Sequence, residues 1–192
     1  MGNFKRIDTS IDGLCIIEPK VYGDNRGYFM ETYSKPEFEK IGLNYEFVQD
    51  NQSKSKKGVL RGLHFQTKNT QAKLVRCLKG EIFDVVVDLR PGSKTYGKWE
   101  GVLLSEENKK MFMIPKGFAH GFLVLSDEAE FSYKCDDIYN PGAEGGLKWD
   151  DPEIAIKWPM ENLKKEELIT SEKDAKWPSF NELKNTEIFT EL

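Results

Sequence analysis

Short extended runs rich in branched and aromatic residues, cut by Gly, Pro and Asn at fairly regular intervals, recur through most of this chain. They include LCIIEP (14–19), YFMETY (28–33), VLRGLHFQ (59–66), IFDVVVDL (82–89), WEGVLLS (99–105), MFMIP (111–115), HGFLVLS (120–126) and EFSYKCDDIY (130–139). Runs this short, with turn residues between them, predict an all-β sandwich or barrel. One short helix is expected over SKPEFEKIGL (34–43): Ser34 and Glu37 have capping-box spacing, Pro36 sits in the first turn, and Gly42 can end it. VYGDNRG (21–27) reads as a turn-rich connection and VQDNQSKSKKG (48–58) as a polar one, while ENLKKEELI (161–169) offers one or two further helical turns.

The 192 residues suit one domain spanning 1–192, with a core of useful size. No apolar run approaches the roughly 20 residues of a membrane span, and Leu14–Ile17 is too short for a signal-peptide core. A cytoplasmic protein is therefore expected, with no membrane contact. A net charge of −4 argues against a general nucleic-acid surface. Three cysteines, Cys15, Cys77 and Cys135, stand far apart without a C-x-x-C, and read as buried thiols.

The run 59–66 holds one of only two histidines. Strand alternation puts Gly62, His64 and Gln66 on one face, and Arg61, Leu63 and Phe65 on the other. A polar face opposite mostly apolar bulk suits a sheet wrapped around a wet cavity. Lys73 opens the next run. Asp84 alternates away from Phe83, Val85 and Val87, toward the same kind of interior.

RGLHFQ, QAKLVRCLKGEIFDVVVDLR, PKGFAHGF, the tyrosine of YKCDDIY and SEKD, in this order, resemble the dTDP-4-dehydrorhamnose 3,5-epimerase family. The similarity runs from about Leu14 to Pro178. It implies a cupin-like jelly-roll barrel with short peripheral helices, its active site in the barrel mouth. The activity implied is inversion at C3 and C5 of dTDP-4-dehydro-6-deoxy-D-glucose through enolates, giving dTDP-4-dehydro-L-rhamnose.

By resemblance, His64 is the proton acceptor, Asp174 orients it, Lys73 stabilises the enolate oxygen and Tyr133 is the general acid. An imidazole suits the first task because its ordinary pKa lies near neutrality. By pattern alone Asp84 rivals Asp174, and could otherwise pair with Lys73 or line the cavity. The resemblance assigns substrate contacts to Arg26, Glu31, Gln49, Asn51, Arg61, Lys73, His120, Glu144 and Lys173, and thymine stacking to Tyr139. Arg26 and Arg61 suit the phosphates, since a guanidinium offers paired donors. Strict alternation separates Arg61 from His64; either a bulge at Gly62 or a reach round the barrel mouth would reunite them.

Two histidines cannot assemble the histidine-rich set that cupin metals need, so no metal is expected, and the epimerase reading needs no cofactor. The resemblance further implies a homodimer with exchanged N-terminal strands, in which Arg26 and Glu31 serve the neighbouring site. Three rival readings remain: an epimerase acting at C3 alone or on another nucleotide sugar, a sugar-binding cupin without catalysis, and a metal-dependent cupin oxygenase.

Overall fold

The computed structural model describes residues 2–161, 163, 167–184, 186 and 188–189. Thirteen strands occur among them: β1 Phe4–Asp8, β2 Cys15–Pro19, β3 Val21–Asp24, β4 Gly27–Met30, β5 Gln49–Lys56, β6 Leu60–Gln66, β7 Lys73–Lys79, β8 Glu81–Asp88, β9 Trp99–Ser105, β10 Met111–Ile114, β11 Phe118–Val124, β12 Glu128–Cys135 and β13 Glu144–Gly146. Two short helices, α1 Lys35–Lys40 and α2 Phe180–Leu183, lie at the periphery. None of the described helices is long and apolar enough to cross a membrane.

A six-stranded sheet, ordered β1-β2-β10-β7-β12-β5, faces a five-stranded sheet, ordered β13-β6-β11-β8-β9, and β3-β4 forms a separate hairpin. This is the cupin-like jelly roll. Side chains from both sheets interleave between them, with Val75, Phe112 and Phe131 meeting Val86, Leu104 and Phe122. The outer faces are covered too. Phe38 and Leu43 pack on Cys15, Ile17 and Leu74, while Phe180 and Leu183 belong to the cluster of Leu63, Val85 and Val87. Burial on both faces explains the unbroken Val85-Val86-Val87, where a half-exposed strand would alternate.

Several expectations need correction. Residues 21–24, read as turn, form β3 of the hairpin. The polar stretch around 48–58 contains β5, an eight-residue edge strand paired along its length with β12. Its alternation is real but written in polar residues: Gln49, Asn51, Ser53 and Ser55 are the more buried set, because they face a wet interior rather than a core. Ser34 is the N-cap of α1, but its side chain makes no capping bond, and Glu37 instead accepts from the Asn3 N–H and Lys40. A complete capping box occurs at α2, between Ser179 and Glu182. The turns expected at 161–169 fall partly outside the described residues. Cys15, Cys77 and Cys135 are buried free thiols.

The decisive irregularity lies between β6 and β11. His64 faces His120 and Arg61 faces Phe122, so three residue steps on β6 oppose two on β11. This bulge at Gly62 turns Arg61 to the side of His64, which settles the alternation problem in favour of the bulge. Gly62 has φ +111°, and a Cβ there would lie 2.7 Å from both the Gly121 Cα and the His120 carbonyl oxygen. Only glycine fits. Gly62→Ala adds backbone strain to overpacking, which together cost about 2–5 kcal/mol. Its urea-unfolding midpoint should therefore fall well below wild type, and an unchanged midpoint would show that the two strands are not so tightly apposed.

Candidate active site

A cavity of about 320 Å³ opens between the two sheets. His64, Arg61 and His120 line it from the five-stranded sheet, while Lys73, Tyr133 and Asn51 line it from the six-stranded sheet. Glu144 and Tyr139 also contribute, and Phe122 and Phe131 join it to the apolar core. Residues far apart in sequence thus share one wet interior because β6, β7 and β12 converge there.

His64 Nε2 lies 2.6 Å from Asp174 Oδ1, with the imidazole one-third exposed and the carboxylate 6% exposed. Asp174 opens a 3-10 turn after Lys173, and the preceding chain is tied alongside β6 by Leu60 N–H to the Ile169 carbonyl and Ile169 N–H to the Gly58 carbonyl. Burial pushes the Asp174 carboxyl up. Hydrogen bonds from His64, the Gly62 N–H and the Trp177 indole outweigh that and leave it below the usual carboxylate range. An ionised carboxylate only accepts, so Nε2 carries the hydrogen of this bond; in the neutral ring that leaves Nδ1 as the nitrogen with the lone pair. The geometry is that of an oriented base.

Asp84 has a different partner. Its two oxygens take His120 Nε2 at 3.0 and 2.9 Å, and the carboxylate is fully buried. Burial raises the Asp84 pKa and lowers that of His120, while each group opposes the other's shift. Each imidazole therefore has its own carboxylate.

Lys73 is half-buried, its Nζ 5.9 Å from the centre of the Tyr133 ring. Loss of water pulls its ammonium below the usual lysine range, while nearby Asp84 and Glu144 push back. Tyr133 packs 5.5 Å from Phe131, and burial raises its phenol above the ordinary value, against the pull of Arg61. At neutral pH the phenol keeps its proton.

The cavity rim is a hydrogen-bonded frame. Glu144 accepts from the Tyr139 hydroxyl at 2.7 Å and from Lys173. Gln49 Oε1 takes the Tyr139 N–H and its amide nitrogen donates to Asn51, while Arg61 donates to Ser55 Oγ. Tyr139 is half-exposed beside Ile138, so a flat ring is displayed at the mouth. Gln49 and Lys173 belong to this frame rather than to the cavity wall.

Arg26 and Glu31 are not brought to this chain's own cavity. Arg26 pairs with Asp24 at the hairpin tip, and Glu31 accepts from Asn3. Three contributors were missed in the sequence. Gln66, placed on the polar face, pins the Tyr139 loop by accepting the Asn140 N–H and donating to the Ile138 and Asn69 carbonyls. Gly121, a glycine inside an apolar strand, was a readable sign of close backbone approach. Trp177 gave no local sign at all. Among the described residues, no three His, Cys, Asp or Glu side chains are grouped to hold a metal ion.

Comparison with known proteins identifies the family. The dTDP-4-dehydrorhamnose 3,5-epimerase of Methanothermobacter thermautotrophicus is 57% identical over 182 residues, covering 95% of this chain and 97% of that protein. That of Salmonella typhimurium is 52% identical, covering 94% and 98%. Among solved structures, dTDP-6-deoxy-D-glucose-3,5-epimerase RmlC from Legionella pneumophila, in complex with dTDP-4-keto-L-rhamnose, superposes with a TM-score of 0.88 at 53% identity, covering 93% of each chain. The family model described as dTDP-4-dehydrorhamnose 3,5-epimerase matches residues 8–182, and the chain belongs to that family.

Proposed function

We propose that this chain, acting as one epimerase domain, converts dTDP-4-dehydro-6-deoxy-D-glucose to dTDP-4-dehydro-L-rhamnose by inverting C3 and C5. The observation that carries the reading is the meeting of the His64–Asp174 pair, Lys73 and Tyr133 in one cavity. The C4 ketone acidifies both neighbouring carbons. His64 Nδ1 removes a C–H proton, and the resulting imidazolium is stabilised by Asp174. The negative charge moves to the C4 oxygen, where the Lys73 ammonium holds it. Tyr133 then returns a proton to carbon.

Inversion requires that acid and base address opposite faces of the ring. His64 stands on the five-stranded sheet and Tyr133 on the six-stranded one, a placement that favours this outcome. After each inversion the imidazolium must lose a proton to water and the phenolate must regain one, so solvent hydrogen enters the product. No cofactor takes part in these steps. Arg61, with Arg26 from a neighbouring subunit, is assigned to the phosphates, and Tyr139 to the thymine. Asn51, Glu144 and His120 are assigned to the sugar, with Gln49 and Lys173 holding the frame.

The proposed active form is a homodimer whose β3–β4 hairpin, with Arg26 and Glu31, serves the partner's site. Its Tyr28 and Phe29 are 59% and 67% exposed, and it belongs to neither main sheet. A groove of about 470 Å³ on the six-stranded sheet shares Asn51 and Tyr133 with the cavity, and so offers a route for such a segment. We assign the enzyme to the cytoplasm, whose reducing conditions suit three unpaired thiols.

In D₂O, proton NMR of the substrate with wild-type enzyme should show deuterium entering at both C3 and C5; exchange at one carbon alone would overturn the double inversion. His64→Ala should abolish wash-in with the fold intact, and undiminished exchange would remove His64 from the mechanism. Tyr133→Phe should slow reprotonation more than proton loss, whereas normal turnover would require another acid.

Lys73→Met should lower kcat by about 10²–10³ with little change in KM, as for loss of one oxyanion donor. A wild-type kcat would dismiss Lys73 from that task. Mixing His64→Ala with Arg26→Ala protomers should restore activity, because one site of each mixed dimer then escapes both lesions. A mixture as inactive as its components would place Arg26 in its own chain's site.

A further inference from the structure

Asp174 Oδ1 carries two donors, His64 Nε2 at 2.6 Å and Trp177 Nε1 at 3.2 Å, while the Gly62 N–H approaches Oδ2 at 3.3 Å. The indole also stands edge-on to the imidazole, with ring centres 6.0 Å apart and planes at 73°. Its seat is built into the sheet. Gly146 on β13 is the register partner of His64 on β6, and a Cβ at Gly146 would lie 2.3 Å from indole Cδ2 and Cε2. The missing side chain is the space that the indole fills. On its other side, Trp177 lines a separate, mainly apolar pocket with Phe65, Leu183 and Ile188, and Lys173 Nζ stands 5.4 Å from the ring centre. Trp177 is not part of the catalytic cavity wall.

We propose that Trp177 is a positioning residue, which holds the Asp174 carboxylate, and through it the His64 imidazole, in the plane needed for proton abstraction without touching the substrate. A carboxylate turns easily about its last torsion, whose well is broad. Donors on both oxygens remove that freedom, and the indole edge limits tilting of the imidazole. Small misplacements of a base are costly: about 1 Å lowers rate by about 10²-fold.

The inference rests on His64 being the base. It is tested by Trp177→Phe, which keeps an aromatic ring over Gly146 and deletes the N–H. The expected result is a kcat for C–H exchange reduced about tenfold, with KM for the dTDP-sugar within about twofold of wild type. In an Asp174→Asn background the same substitution should change little, because Trp177 acts through Asp174. A wild-type kcat in Trp177→Phe, or an equal fold-loss in both backgrounds, would overturn the proposal. A measurement independent of that variant's folding is the Trp177 indole ¹⁵N–¹H resonance in otherwise native protein. It should move on Asp174→Asn, and a resonance that stays in place rejects the hydrogen bond. Absence of wash-in by the wild type would instead defeat the epimerase reading itself.

Discussion

The backbone contact between Gly62 on β6 and Gly121 on β11 is the constraint on which the site depends. A Cβ at Gly121 would lie 2.4 Å from the Arg61 carbonyl oxygen, tighter still than the 2.7 Å contacts at Gly62. Two facing glycines let the strands close while β6 carries an extra residue. That extra residue sends Arg61 and His64 into one cavity and presents the Gly62 N–H to Asp174. A regular ladder would have sent one of the two side chains away from the interior. The bulge therefore sets which side chains share the cavity and is not a defect in the sheet.

Around this contact, the buried carboxylates beside the cavity are each given a partner. Among the described side chains, no buried polar atom lacks a hydrogen-bond partner. Asp174 serves His64, Asp84 serves His120, and Glu144 gathers Tyr139 and Lys173. Taking ions out of water is expensive, and the opposing shifts of Asp84 and His120 express that cost. Lys73 makes the same point. Its ammonium is destabilised by burial, yet a partly dehydrated cation acts more strongly on an opposing charge than one on the surface. The cavity trades some stability for that strength.

How legible this was in the chain differs from element to element. The strands bearing Leu74–Leu78, Ile82–Leu89 and Met111–Ile114 announce themselves because each buries apolar side chains against a core. β5 was hidden because its inward residues, Asn51 and Ser53, face the cavity, so the usual apolar alternation is absent. The hairpin β3–β4 was read partly as turn because it packs into neither sheet and shows little burial. Ser34 and Glu37 had the spacing of a capping box, but Glu37 found Asn3 and Lys40 instead, whereas Ser179 and Glu182 made the box unannounced. Spacing states what is possible, and competing partners decide.

By itself the sequence determined a chain of short strands around a partly polar interior, a scarcity of imidazole that narrows the chemistry, and a motif order that names the family. Those properties are local, because alternation, turn residues and composition act within a few positions. Which carboxylate takes which histidine, whether Arg61 joins His64, and that Trp177 reaches Asp174 were decided only in three dimensions. His64 and Asp174 stand 110 positions apart, and their 2.6 Å contact exists because the chain after Ile169 is tied alongside β6. Short-range pattern carries no information about such a meeting, since it is produced by the packing of whole strands.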